Sequence, residues 1–286
     1  MQEIATQTYI ETGYAGVTLG AIVLAHGLIL IDAPLRGEDT RSWRASLANL
    51  GGGADRLLVN LDAHYDRTLA TRAMDCTVVA QEKTIQVFRN RPVTFKPQVT
   101  ESGAAWEITD GLSSARWVPP EMTFTQEMHI YWDKNPVVLE YRPGPATGST
   151  WVILPDQHVI FLGDAVVLRQ PPFLGGADLP NWIDLLRELL SPGFRYHFLV
   201  SGRGGLITVE EVRQQLQFLE KTHKLLETLA ARQAPVEEAV SLAPTLLADF
   251  KVPAERKVNY HQRLRYGLRQ YYLRHYHPAS NDILEE

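Results

Sequence analysis

Across 286 residues there is a single cysteine, Cys76, so no disulfide can form within the chain. That absence fits a reducing compartment, and a cytoplasmic location is the expectation. Positive charge is also short. Lysine and arginine number 28 against 33 aspartates and glutamates, for a net charge of −5. A chain of that sign lacks the global field that draws proteins onto nucleic acid or anionic membrane. Long apolar runs are missing too. The longest, near 21–33, is interrupted by His26 and Gly27 and falls short of the roughly 20 residues a membrane span needs. The first 16 residues lack the basic-then-apolar shape of a secretory leader. No G-x-G-x-x-G, Walker loop or G-x-S-x-G elbow occurs, which removes the usual signals for dinucleotide, nucleoside triphosphate and serine-hydrolase chemistry. Gly202-Arg203-Gly204-Gly205 has the glycines of a phosphate loop but not its Lys-Ser/Thr.

What is present is a large apolar fraction, 45%, enough for one big α/β core. Strand-like runs rich in β-branched and aliphatic residues cover 17–25 and 28–33, with His26-Gly27 as the turn. A helix is expected over 39–50, ended by Gly51-Gly52-Gly53. A short strand, 56–61, then leads into Asp62-Ala63-His64-Tyr65-Asp66-Arg67. A helix over 67–74 and a strand over 77–80, with Cys76 as a small buried hydrophobe beside it, complete an alternating pattern typical of a sheet covered by helices. The stretch 88–114 carries proline and glycine and reads as an irregular insertion or lid. Strands return at 123–130, 137–141, 150–154 and 158–162, followed by a helix over 181–190 and a strand over 196–200. Thr208 and Glu211 have the spacing of a capping box, so a helix should start there and run to about Arg232. Further helices are expected over 235–250 and 253–276. The last is locally basic and rich in tyrosine. Given the acidic chain, it is read as an amphipathic helix that packs its tyrosines and leaves its arginines in water, not as a nucleic-acid surface.

Five segments in order, each at a strand end, resemble the metallo-β-lactamase-fold superfamily. Ile31-Asp32-Ala33-Pro34 resembles its early strand-end aspartate. Asp62-Ala63-His64-Tyr65-Asp66-Arg67 resembles its H-x-H-x-D-H loop. Pro143-Gly144-Pro145-Ala146-Thr147-Gly148-Ser149 resembles its P-G-H-T-x-G-S loop. Phe161-Leu162-Gly163-Asp164 resembles its apolar strand ending in Gly-Asp, and Gly202-Arg203-Gly204 resembles its late G-H-G loop. The resemblance spans roughly 16–232 and implies a four-layer αββα sandwich, with residues 233–286 as a helical C-terminal extension packed on it.

In this superfamily such loops hold two metals, often zinc or iron, that activate a bridging water. Position by position, His64, Asp66 and Asp164 match the ligand pattern. Asp62 and Arg67 stand where histidines belong, and so do Pro145 and Arg203. Asp62 can still ligate a metal, Pro145 offers no side-chain donor, and the two arginines are fixed cations. The resemblance therefore implies a degenerate metal site. Arg67 and Arg203 are expected to take the place of the second metal as counter-charges for Asp66 and Asp164. Asp32 would stand behind the site and hold loop backbone.

The sequence supports two readings. In the first, the chain has lost the dimetal hydrolase mechanism, holds no resident metal, and binds a small anionic ligand in the old cleft beside Arg67 and Arg203. In the second, one divalent ion (zinc, iron or manganese) sits on Asp62, His64 and Asp164, and Asp66 handles the proton in hydrolysis of an ester or thioester. A homodimer through the helical tail is compatible with either. Taken singly, His64 would be a loop histidine bonded to a carboxylate, and Asp164 a turn residue.

Overall fold

The computed structural model describes residues 1–91, 102–104, 107, 112 and 116–277. Four antiparallel strands open the chain: β1 (Gln2–Ala5), β2 (Thr8–Glu11), β3 (Leu19–Val23) and β4 (Gly27–Ile31). Then follow α1 (Gly37–Leu47), β5 (Asp55–Val59), α2 (Tyr65–Thr68), β6 (Thr77–Gln81), α3 (Glu82–Arg89) and β7 (Met122–Phe124). From β4 to β7 the pairing is parallel, and β1 to β7 form one sheet in sequence order.

The second sheet is built from β8 (Glu127–Ile130), β9 (Val137–Tyr141), β10 (Thr150–Leu154), β11 (Val159–Phe161), β12 (Phe198–Ser201) and β13 (Gly205–Ile207). Within it only β11 and β12 are parallel, and the helix α4 (Leu179–Leu189) lies between them in sequence. The chain ends in α5 (Val209–Ala231), α6 (Val236–Ser241), α7 (Ala243–Leu247) and α8 (Lys257–Tyr276).

The period-two alternation of strands explains the layering. In β3 and β4, Leu19, Ala21, Val23, Leu28 and Leu30 point out to a cluster with Trp43 and Leu47 of α1. Their neighbours Ile22, Ile29 and Ile31 point inward and meet Val152, Val159, Phe161 and Val200 of the second sheet. Trp151 and Ile160 face the opposite way, into a cluster that includes Trp182, Phe218, Leu264 and Tyr272 from α4, α5 and α8. The result is the expected αββα sandwich. The helices after Arg232 share that last cluster with α4 and α5. No helix among the described residues is long and apolar enough to cross a membrane.

Several elements differ from expectation for local reasons. The strand expected over 123–130 is two strands, β7 on the first sheet and β8 on the second. The crossing is held by the Gln81 side chain on the Thr125 carbonyl (2.9 Å) and by the Tyr141 N–H on the Gln126 carbonyl (2.8 Å). The helix expected over 67–74 is instead the short α2 followed by a 3₁₀ turn. Pro244 splits the helix expected over 235–250 into α6 and α7. The helix α3 carries no start signal in the sequence, because its N-cap is Gln81, not a usual capping residue, whose side chain accepts from the Lys83 N–H. Cys76 sits just before β6 and is half-buried, and burial pushes its thiol up to about 11. Most of the 88–114 stretch, expected to be irregular, lies outside the described residues.

Candidate metal and charge centre

The parallel strands deliver the site. Asp32 follows β4, Asp62 follows β5, Asp164 lies in the turn after β11, and Arg203 lies in the turn after β12. The two sheets are locked together at this end. Thr150 donates its N–H to Leu61 O and Thr18 donates to Gly202 O (both 2.8 Å), while a second contact, within the second sheet, runs from the Gly202 N–H to Gly163 O (2.7 Å). The second contact requires glycine, because a Cβ on Gly202 would stand 2.9 Å from the Gly163 carbonyl. Asp32 has φ of 56°, a left-handed conformation that aspartate tolerates better than most residues.

Asp32, Asp62, Asp66 and Asp164 are all buried, and the guanidiniums of Arg67 and Arg203 are buried among them. Arg67 Nη2 lies 2.5 Å from Asp164 Oδ1 and Nη1 lies 2.7 Å from Asp32 Oδ2. Its Nε stands 3.1 Å from Asp62 Oδ1, an ion pair without hydrogen-bond alignment. Arg203 forms a fork on Asp66 through Nη1 and Nη2, the latter at 3.0 Å. Its Nε donates to both oxygens of Asp164 at 2.9 and 3.0 Å, and Nη1 also reaches Gly16 O at 2.9 Å. Asp32 accepts the Leu61 N–H at 3.0 Å. Burial works against charge on both arginines, but Asp164 and the other aspartates outweigh it and raise their pKa values.

His64 Nδ1 sits 3.0 Å from Asp62 Oδ1 and 3.6 Å from Asp164 Oδ2. The potential ligand atoms of Asp62, His64 and Asp164 lie within 4.8 Å of one another. Four carboxylates against two guanidiniums leave negative charge in excess. Burial opposes protonation of His64, but Asp62 and then Asp164 reverse the balance and raise its pKa. Burial pushes Asp32 up to about 7, against the pull of Arg67. For Asp62 and Asp66, burial is overcome by Arg67 and Arg203 respectively, and both carboxyls are held below their ordinary value.

These shifts fix a pH profile. Asp62 and Asp66 contribute stability that is present above their ordinary value of 3.8 and lost as pH falls through the folded values. His64 contributes stability below its ordinary 6.5 that is lost as pH rises through the raised value. Asp32 likewise opposes folding as pH climbs towards 7. The urea midpoint should therefore peak at about pH 4 to 5, then fall through the neutral range as Asp32 is forced to ionise and His64 to lose its proton. Asp66→Asn should flatten the acid limb of that curve and leave the other limb in place.

Residues not flagged by the sequence complete the site. Phe173 lies over it, with its ring centre 5.2 Å from that of His64 and 4.9 Å from the Arg203 guanidinium carbon. Leu35, Leu69, Ala104 and Leu112 pack with Phe173 into an apolar cap. Nothing in Gln170-Pro171-Pro172-Phe173 signals that role. Arg263 of α8 is the second omission. It is 3% exposed, so it departs from the expectation that this helix leaves its arginines in water. A signal existed, because Arg263 stands at i+3 from Tyr260 and i−4 from Gly267, on the helix's apolar stripe.

No protein-family model and no curated protein matches the sequence. Solved structures do match. A stereoselective inverting sec-alkylsulfatase from Pseudomonas sp. superposes with a TM-score of 0.72 at 14% identity, covering 98% of this chain and 51% of that one. The chain thus spans about half the length of that sulfatase. A metallo-β-lactamase family protein from Thermus thermophilus gives 0.62 at 18% identity, covering 95% of this chain and 94% of that one. Coverage that high requires the helices after Arg232 to fall inside the match. A metallo-β-lactamase from Pontibacter korlensis gives 0.58 at 19% identity over 77% of this chain and 97% of that one. The similarity to these structures, with the αββα layers and the loops gathered at one edge of the sandwich, shows that the chain has the metallo-β-lactamase fold.

Proposed function

We propose that this protein keeps the metallo-β-lactamase scaffold without its dinuclear chemistry, with guanidinium groups standing in for the second metal. One observation carries the reading. The Arg203 guanidinium bridges Asp66 and Asp164, with Nη2 3.0 Å from the first and Nε 2.9 Å from the second. A divalent ion there would have to displace a buried cation that already satisfies both carboxylates. The donor set does not fit a dinuclear centre. Arg67 belongs to the same replacement, through Asp164, Asp32 and Asp62 and not through Asp66.

The remaining role is binding of a small anion, not among the four aspartates, whose charge is in excess, but at the edge of the cleft that Arg203 reaches. Arg67 has no exposed surface and is walled in by aspartates, so of the two arginines only Arg203 can meet a ligand.

The second reading is a single-metal hydrolase of ester or thioester substrates, favoured by the compactness of the Asp62, His64 and Asp164 group. Two facts weigh against it. Asp62 Oδ1 already accepts the His64 N–H at 2.7 Å, and Asp164 Oδ1 already holds Arg67. Asp66, bound through both oxygens by Arg203 with its pKa lowered, is a poor base. Ester and thioester hydrolysis, measured with and without chelator, separates the two. Hydrolysis is expected at the uncatalysed rate, and the chelator should leave the melting temperature within about 1 °C. Chelator-sensitive hydrolysis abolished by Asp164→Ala would establish the second reading instead.

A further inference from the structure

Arg263 holds a buried positive charge that no acid among the described residues matches. Among the described residues no carboxylate oxygen lies within ion-pairing distance of its guanidinium. Its partners are neutral: Gly103 O at 3.0 and 3.2 Å, Gln170 Oε1 at 2.8 Å and Pro171 O at 3.0 Å. The guanidinium carbon stands 3.9 Å from the centre of the Phe173 ring and 5.0 Å from that of Tyr260. Dipoles and ring faces ease such a charge but do not neutralise it. Burial, and then Arg203, push its pKa down to about 10, so it stays charged at neutral pH.

A cavity of about 160 Å³ opens beside it. Arg203, Arg256 and Arg263 line this cavity together with Gln170, Asn259 and Tyr260, and no carboxylate among the described residues is in its wall. Arg256 is half-buried and forms no ion pair among the described residues. It immediately precedes α8, whose first turn lines the cavity, carries no acidic residue and has no side-chain cap. The positive end of a 20-residue helix is thus added to three arginines. Arg203 is already balanced by Asp66 and Asp164, so among the described residues Arg256 and Arg263 are the uncompensated charges.

We propose that this cavity binds a small oxyanion of the phosphate, sulfate or carboxylate class. Arg256 and Arg263 supply the charge, and the polar edges of Arg203, Asn259 and Tyr260 complete the shell. Guanidinium forks suit planar or tetrahedral oxyanions, and Arg256, only half-buried, gives access from solvent. The volume is below the roughly 300–1,000 Å³ of ordinary small-molecule pockets. It therefore admits a free anion or the charged end of a longer molecule. This deepens the anionic-ligand reading above and rests on it in one respect, that Arg203 is a charge group and not the neighbour of a metal. It also moves the ligand from directly over His64, where Phe173 lies, to the side of α8.

The test is a titration of the full-length, chelator-treated protein with sodium phosphate, sulfate, acetate and phenyl phosphate. It is read by calorimetry and by melting temperature at constant ionic strength against chloride. At least one oxyanion should bind saturably and raise the melting temperature. Arg256→Gln should weaken that binding at least about tenfold, since it removes a fork from the shell. Lys257→Gln, which removes the same charge from an exposed neighbour outside the cavity, should leave binding intact. If Arg256→Gln does not fold, Arg256→Lys, which keeps the charge and loses the fork, serves in its place with a smaller loss. Equal affinity for phosphate and phenyl phosphate points to the charged end of a larger ligand, and preference for phosphate points to a free ion. The proposal is overturned if no oxyanion binds beyond chloride, or if Arg256→Gln binds as tightly as the parent, or if Lys257→Gln weakens binding equally. Metal content measured on the same sample before chelation keeps the two readings apart. A stoichiometric metal contradicts the charge replacement, whereas a metal-free protein that ignores oxyanions contradicts only the cavity.

Discussion

Arg203→Met is expected to destabilise the protein by about 3–5 kcal/mol, on the order of 10 °C in melting temperature. The methionine keeps most of the side-chain volume, so the loss is one of charge. Asp66 would lose the fork that holds both of its oxygens, and Asp164 would keep Arg67 and the more distant His64. An unpaired carboxylate in a buried site costs far more than a surface pair contributes. A double variant, Arg203→Met with Asp66→Leu, should recover much of the stability, because a fully apolar replacement removes the unpaired group as well as its partner. Urea melts of the two single variants and the double give the coupling directly. A metal-centred account makes the opposite prediction, since removing a cation beside a divalent ion would relieve repulsion and tighten metal binding.

The second large effect comes from reversing the exchange. Replacing both arginines in an R67H/R203H variant returns imidazoles to the two positions where the superfamily pattern has them, beside Asp66 and Asp164. Four donors would then face one another, a number and kind that zinc accepts. Without zinc the variant should be markedly less stable than the parent, for the reason given for Arg203→Met. With zinc at about 100 times its dissociation constant it should regain on the order of 2.7 kcal/mol, while the parent protein gains nothing. Zinc-dependent melting of both proteins checks this. A variant that melts at the same temperature with and without zinc would show that the loops no longer hold the geometry a metal needs, which would count against a simple exchange of charge for metal.

Much of this site could be read in the sequence, because its residues sit at strand ends and strand ends are visible in apolar patterning. Leu57-Leu58-Val59 forecast a buried strand, and with it the placement of Asp62 to Arg67 at its carboxyl end. Asp164 after β11 and Arg203 after β12 followed from the same logic. What the sequence did not carry was which arginine would meet which aspartate. Arg67 reaches Asp32 and Asp62 as well as Asp164, but it makes no ion pair with Asp66, which belongs to Arg203. Side-chain reach across two loops depends on how the sheets are offset, and no local pattern encodes that. The short strands β1, β2 and β13 carry no sequence signal, because three or four residues hold too little alternation to register. Phe173 was missed because an aromatic residue in a proline-containing loop has no periodicity at all. Arg263 was missed for another reason. Its place on the apolar stripe of α8 is visible in the sequence, but arginine's usual preference for water points the other way.

The central claim is that guanidinium charge occupies the place of a divalent cation. Elemental analysis of the untagged protein, purified from zinc-supplemented culture without chelator, tests it most directly, with R67H/R203H analysed alongside. The account predicts that the parent carries zinc, iron and manganese far below one ion per chain while the variant takes up zinc. A parent protein that carries a stoichiometric ion, lost on Asp164→Ala, would contradict it.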